Sequence, residues 1–279
     1  MYNVRIIEYP TGYQVRVYDA LLGVDDTNEK YKKNDKQNIE CDFERDCWYN
    51  SPWTFEETFE IVEWQKENSL RASFARTKKN IYYLARSNVW EWFVTLTLSP
   101  DKVDRYDYDD CRKKVRKWLD NLKQRVAPDL YYLVVPEQHK DGAWHFHALF
   151  GGCGGLVFSD SGKCDKSGNV IYNLDNFQYG FSTATQVNDT SRVSGYICKY
   201  ITKDMCSQVS GRQRYWVSKN INRADCYEAT VPWFKMQEFK ESLYEKMTYK
   251  KKAFAEYFEV DYFEVPKDWD GVRFIEKEN

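Results

Sequence analysis

Residues 131–150 read YYLVVPEQHKDGAWHFHALF. Two apolar runs, Tyr131-Tyr132-Leu133-Val134-Val135 and Trp144 to Phe150, flank a short polar segment with Asp141-Gly142. That dipeptide is tight-turn chemistry, so the stretch predicts two strands of a hairpin. Side chains alternate along a strand, so His145 and His147 emerge on one face. They are two of only 3 His in the chain. Side by side, two imidazoles can chelate a divalent cation, or they can be a structural pair. The partner strand brings Glu137 or Gln138 within reach as a third ligand. A carboxylate with two imidazoles leaves positions for water and a phosphate oxygen, which suits Mg²⁺ or Mn²⁺ and does not exclude Zn²⁺. His139 falls in the turn. A structural zinc site from His145, His147, Cys153 and Cys164 matches none of the usual spacings.

Outward from this hairpin, Trp92 to Leu98, stopped by Ser99-Pro100, predicts a strand with its centre buried on both faces. Residues 108–126 place Val115, Trp118, Leu119 and Leu122 on one stripe, which predicts an amphipathic helix ended by Pro128. After Gly151-Gly152-Cys153-Gly154-Gly155, residues 156–189 predict a short hairpin near 170–174 and a strand at 177–186. A helix capped by Thr190 or Ser191 is expected to run to about Cys206. Arg212 to Ser218 reads as an edge strand with its basic residues outward. Near the start, Pro10-Thr11-Gly12 between residues 2–9 and 13–19 predicts a hairpin, followed by an acidic segment over 23–50. Two helices are expected at 54–68 and 70–87, the second with Arg71, Arg76, Lys78, Lys79 and Arg86 exposed; the tail shows only weak helix around 235–248. These elements predict an α+β fold, a central antiparallel sheet flanked by helices. The chain divides as 1–89, an endonuclease-like core at 90–220, and a C-terminal extension at 221–279 packed on that core.

The formal charge is −2, which argues against a protein that simply coats nucleic acid. The average hides an asymmetry: residues 69–218 carry 22 Lys and Arg against 15 acids, whereas residues 19–68 carry 14 acids against 6 bases. A polyanion is therefore expected on the middle of the chain. DNA contacts are expected from Lys113, Lys114 and Arg116, from Arg212 and Arg214, and from the basic helix 70–87. Aromatic residues make up 17% of the chain and suit base stacking as well as a core. The 8 Cys form no CxxC pair, and no stretch approaches a membrane span or a signal peptide. A cytoplasmic protein with reduced thiols and no membrane partner is expected.

The segment YICKYITK, residues 196–203, carries a second pattern. On a helix Tyr196, Tyr200 and Lys203 follow i, i+4, i+7 spacing, with Lys199 beside them. Two phenols and two ammonium groups thus share a face, which is unlike an apolar core stripe. A tyrosine oxygen attacking a phosphodiester forms a covalent phosphotyrosine, and nearby lysines stabilise the phenolate.

Together these residues resemble the HUH endonuclease superfamily. Phe93-Val94-Thr95-Leu96-Thr97-Leu98 resembles its first motif and His145-Phe146-His147 the HUH motif. Residues 196–203 resemble the double-tyrosine motif of replication initiators from single-stranded DNA phages. The segment before the His pair and RYWVSKN at 214–220 are similar to microvirus, gokushovirus, filamentous-phage and plasmid replication proteins. The resemblance covers about residues 90–220. It implies catalytic Tyr196, Tyr200, Lys199 and Lys203, metal ligands His145, His147 and Glu137, and rolling-circle initiation at a single-stranded DNA origin. A 5′-phosphotyrosine, a free 3′-hydroxyl and rejoining at termination follow from it. No GxxxxGK[ST] loop occurs, so a host helicase and a DNA polymerase are expected partners, in the bacterial cytoplasm if the chain is phage-encoded. HUH transposases and relaxases fit less well, by tyrosine or histidine count. A reading of another class is a non-catalytic single-stranded nucleic-acid-binding protein.

Overall fold

The computed structural model describes residues 1–23, 55–201, 212–254 and 259–275, with side chains of the long helix described from residue 69 onward. Beyond Gly23 the expected acidic segment lies outside the described residues, as does Lys203. Contacts divide the chain into Met1–Glu67 with Asp225–Asn279, and Asn68–Ala224. The three expected stretches thus become two units, the first and last regions of sequence sharing one of them.

In that shared unit a five-stranded antiparallel sheet has the order β10-β1-β2-β12-β11. Here β1 is Tyr2–Tyr9, β2 Gly12–Leu22, β10 Asp225–Ala229, β11 Tyr249–Phe254 and β12 Glu259–Pro266. The predicted opening hairpin is present. Its turn needs a glycine, because a Cβ at Gly12 would stand 2.2 Å from the Val265 carbonyl oxygen of β12. Val4, Ile6, Val15, Val17, Phe263 and Val265 form an apolar core with Phe239 and Leu243 from the helix Met236–Lys246, designated α4. A buried clamp joins the ends of the sequence: the Asn3 side chain donates to the Val231 carbonyl and accepts from the Val231 N–H, both at 2.8 Å.

The other unit is built on a seven-stranded antiparallel sheet, order β6-β7-β8-β3-β5-β4-β9. Its strands are β3 (Trp92–Leu98), β4 (Tyr131–Gln138), β5 (Trp144–Gly151), β6 (Phe158–Cys164), β7 (Val170–Leu174), β8 (Gly180–Gln186) and β9 (Trp216–Val217). The expected α+β architecture is the observed one. Helix α2, Tyr108–Arg125, is capped by the Asp107 carboxylate, which accepts from two backbone N–H groups of its first turn. Its buried stripe, Cys111, Val115, Trp118, Leu119 and Leu122, includes the predicted residues. Tyr108 meets Trp144 and Trp118 meets Phe150, so α2 covers the sheet face that carries the even-numbered residues of β5.

The opposite face carries His145 and His147. There the buried thiol of Cys198 contacts the Lys78 carbonyl of the long helix α1, Phe55–Arg86. Four local expectations change. The helices at 54–68 and 70–87 are one, since neither glycine nor proline separates them. Arg86, expected outside, is buried in the last turn of α1. Strand β3 is not buried on both faces: Val94, Leu96 and Leu98 are, while Phe93, Thr95 and Thr97 are only half-buried on the histidine side. The helix α3, Thr190–Ile197, is capped by Asp189 rather than Thr190 or Ser191, and tightens into a 3₁₀ turn at Cys198–Tyr200 before Ile201 becomes extended. Among the described residues, no helix is long and apolar enough to cross a membrane.

Candidate active site

The site begins with the register of three strands. Antiparallel pairing sets Glu137 opposite His145, and His145 and His147 opposite Thr97 and Thr95. Directly paired residues share a face, so one carboxylate, two imidazoles and two hydroxyls line one patch of sheet. The Thr95 hydroxyl lies 3.1 Å from His147 Nδ1 and the Thr97 hydroxyl 3.3 Å from His145 Nδ1. These bonds hold each ring by its rear nitrogen and leave Nε2 forward. Sequence reasoning missed both threonines as positioning groups. The signal was there, since Thr95 and Thr97 repeat the i, i+2 spacing of the histidines they face.

Gln138 is turned away by the same alternation: its amide donates to the Gly142 carbonyl at 3.0 Å in the β4–β5 turn. Of the two candidate third ligands, only Glu137 stands on the histidine face. Its Oε2 lies 2.7 Å from His147 Nε2. This bond, together with the charge of the neighbouring histidines, holds the Glu137 carboxyl below the usual carboxylate range. Burial, with His139 and His147 nearby, lowers the pKa of His145 and favours its neutral form. His139 itself is exposed and bonded to Asp141 in the turn.

An ionised carboxylate and a neutral imidazole are the protonation states a metal ligand requires, and a second hydrogen bond on each ring is the usual support of a ligating histidine. By this test the donor set suits a divalent cation. No group of three His, Cys, Asp or Glu is gathered as a formed metal cage among the described residues, Glu137 and His147 being bonded to each other instead.

Both tyrosines reach this patch. The Tyr200 ring stacks on His147, centroids 3.4 Å apart and planes within 16°. Its hydroxyl donates to the Tyr196 hydroxyl at 2.9 Å. Burial raises the pKa of Tyr200, and its bond to Tyr196 adds to the effect. Tyr196 is 42% exposed and stands edge-on to Phe93, whose ring also faces Tyr200. Lys199 Nζ lies 4.7 Å from the centre of the Tyr196 ring. The helical spacing predicted for the pair is met by an α-helix tightening to 3₁₀, which still brings the two oxygens together.

The five residues expected to contact DNA do not gather here. Lys113, Lys114 and Arg116 ride on α2, across the sheet from the histidines. Arg212 pairs with Asp109 at 3.2 Å near the start of α2. Arg214 does not point outward but bonds the hydroxyls of Ser73 and Thr77 on α1, at 2.6 and 3.2 Å.

Such a site, with paired phenols against an imidazole and carboxylate patch on an antiparallel sheet, belongs to the chemistry of phosphodiester strands. Residues 91–205 match a family of replication-associated proteins, the ORF2 type. That span contains both histidines, Glu137 and the whole of YICKYITK, and it supports a replication-initiator family and a role in DNA replication. No curated protein and no solved structure matched the chain.

Proposed function

We propose that the chain is a double-tyrosine HUH endonuclease that initiates rolling-circle replication by nicking a single-stranded DNA origin. The observation that carries the reading is the stacking of Tyr200 on His147, with Tyr196 hydrogen-bonded to Tyr200. It joins the two patterns, strand and helix, in one place. His145, His147 and Glu137 would hold a Mg²⁺ or Mn²⁺ ion, which when bound polarises the scissile phosphate. The phenol oxygen of Tyr196 forms a bond to phosphorus, the P–O3′ bond breaks, and the phenol proton ends on the departing 3′-hydroxyl or in solvent. Lys199, beside Tyr196, favours the phenolate. The 5′-phosphotyrosine keeps the free energy of the phosphodiester, so attack by a 3′-hydroxyl reverses the step and rejoins ends. Tyr200, in hydrogen-bond contact with Tyr196, serves the second cut, and Lys203 acts as a second cation. The released 3′-hydroxyl primes a DNA polymerase, with unwinding by a host helicase.

A second reading has one observation in its favour. In the described conformation Glu137 and His147 satisfy each other without an ion. A non-catalytic single-strand-binding protein would look the same. Incubation with Mn²⁺ and a randomised single-stranded oligonucleotide pool separates the two. The nicking reading predicts a protein–DNA adduct that survives denaturation and disappears with EDTA; binding without an adduct supports the second.

A further inference from the structure

The register that assembles the candidate site continues one strand further. Thr97 pairs with His145 on one side and with Phe181 of β8 on the other. Glu137, His145, Thr97 and Phe181 therefore form a row across four strands on one face. Phe181 is 63% exposed and has no ring partner among the described residues. Thr183 and Thr185 follow it along β8 on the same face, paired with Thr95 and Phe93.

Beside them opens a cleft of about 550 Å³, walled by Tyr196 and Tyr200 and lined by Thr183, Thr185, Gln186, Asn188 and Arg192. Its size is that of pockets for small organic ligands, a class that includes a nucleotide. The side-chain amides of Gln186 and Asn188 each offer a donor and an acceptor, and neither has a partner among the described residues. Amides of this kind read base edges, an exposed ring takes a base by stacking, and a guanidinium takes phosphate. None of these residues is needed to hold the fold of β8, whose buried side is Ser182 and Ala184.

We infer that β8 is the bed on which single-stranded DNA lies beside the nick. A base on one side of the scissile phosphate stacks on Phe181. A base on the other side enters the cleft, where Gln186 and Asn188 read its edge and Arg192 meets its phosphate. The position of the scissile phosphate in this assignment rests on the nicking function proposed above; the single-strand track itself does not.

The test uses the full chain in two arms. In EDTA, fluorescence anisotropy with labelled oligo-thymidylate reads Phe181 alone. Phe181→Ala is expected to weaken binding about tenfold, and Phe181→Trp to restore it. Equal affinities for all three proteins, with unchanged circular dichroism, overturn the stacking role. In the second arm, the randomised pool is sequenced after covalent capture with Mn²⁺. Gln186→Ala/Asn188→Ala is expected to capture DNA while losing base preference at one position next to the nick; an unchanged preference overturns the cleft's role. Should the unaltered protein capture nothing, the nicking function fails by itself. The same pool selected by binding in EDTA then reads the double variant, with the same two outcomes.

Discussion

At the scale of the residue, the Thr95 and Thr97 hydroxyls behind the two imidazoles act on the site through orientation alone. Thr95→Val removes the bond to His147 Nδ1 while keeping the side-chain shape. It is expected to weaken Mn²⁺ affinity about 10- to 100-fold in calorimetric titration, with little change in the unfolding midpoint. Equal affinity would show that the ring is held by packing under Tyr200 instead. The lowered pKa of His145 predicts a pH effect of definite sign. The folded state prefers the neutral ring, so its contribution to stability is present above the ordinary histidine pKa, about 6.5, and fades as pH falls below it. His145→Asn is expected to flatten that part of the stability–pH curve. The face of the His pair was legible from alternation, and the choice of Glu137 over Gln138 was contained in the same period of two. The role of Arg214 was not legible, because its partners Ser73 and Thr77 are brought to it by tertiary packing.

Elements set the site through two devices. Helix α3 is started by the Asp189 carboxylate, which accepts from the N–H groups of Ser191 and Arg192. Loss of an N-cap costs about 1 kcal/mol. Asp189→Ala is thus expected to lower the unfolding free energy by that amount in urea titration, and to reduce adduct yield by loosening the turn that carries both tyrosines. Strand β5 is the second device, with His145 and His147 on one face and Phe146, fully buried, on the other. Phe146→Ala is expected to cost about 3–5 kcal/mol by leaving a cavity behind the histidines. A cost under about 1 kcal/mol would mean that α2 does not seal that face. The elements missed in the sequence are instructive. Strand β11, YKKKAF, lacks alternation and has little apolar content, so its pairing depends on β12, and β12 in turn pairs with β2 from the opening hairpin. No local pattern carries a partner more than two hundred residues away. The join of two expected helices into α1 failed to show for the opposite reason, since its apolar spacing shifts without a breaker to mark an end.

Over the whole molecule, each unit has a buried phenol that reports on its core. Burial pushes Tyr108, in the sheet unit of the candidate site, up to about 12, and Tyr227, in the unit formed by the chain ends, also to about 12. The neutral phenol is the form the folded state prefers. That preference is fully present below the ordinary tyrosine pKa near 10 and is lost as pH rises toward 12. The thermal midpoint is therefore expected to fall between about pH 10 and 12. Tyr108→Phe is expected to make the Asn68–Ala224 unit less sensitive to that rise, at the cost at neutral pH of the bond its hydroxyl gives to the Gln213 carbonyl at 2.7 Å. The broad α+β class and the central sheet were legible because their strands are apolar and bounded by turn residues. The division into two units was not, since it depends on where the two ends of the sequence meet. The central claim is that the two tyrosines act as nucleophiles beside the His pair. It is tested most directly by intact and peptide mass spectrometry of the protein after reaction with Mn²⁺ and single-stranded DNA. The account predicts a nucleotide adduct on the peptide carrying Tyr196 or Tyr200, absent with EDTA and absent from the Tyr196→Phe/Tyr200→Phe variant; an adduct that persists in that variant, or DNA cleaved with no adduct at all, would contradict it.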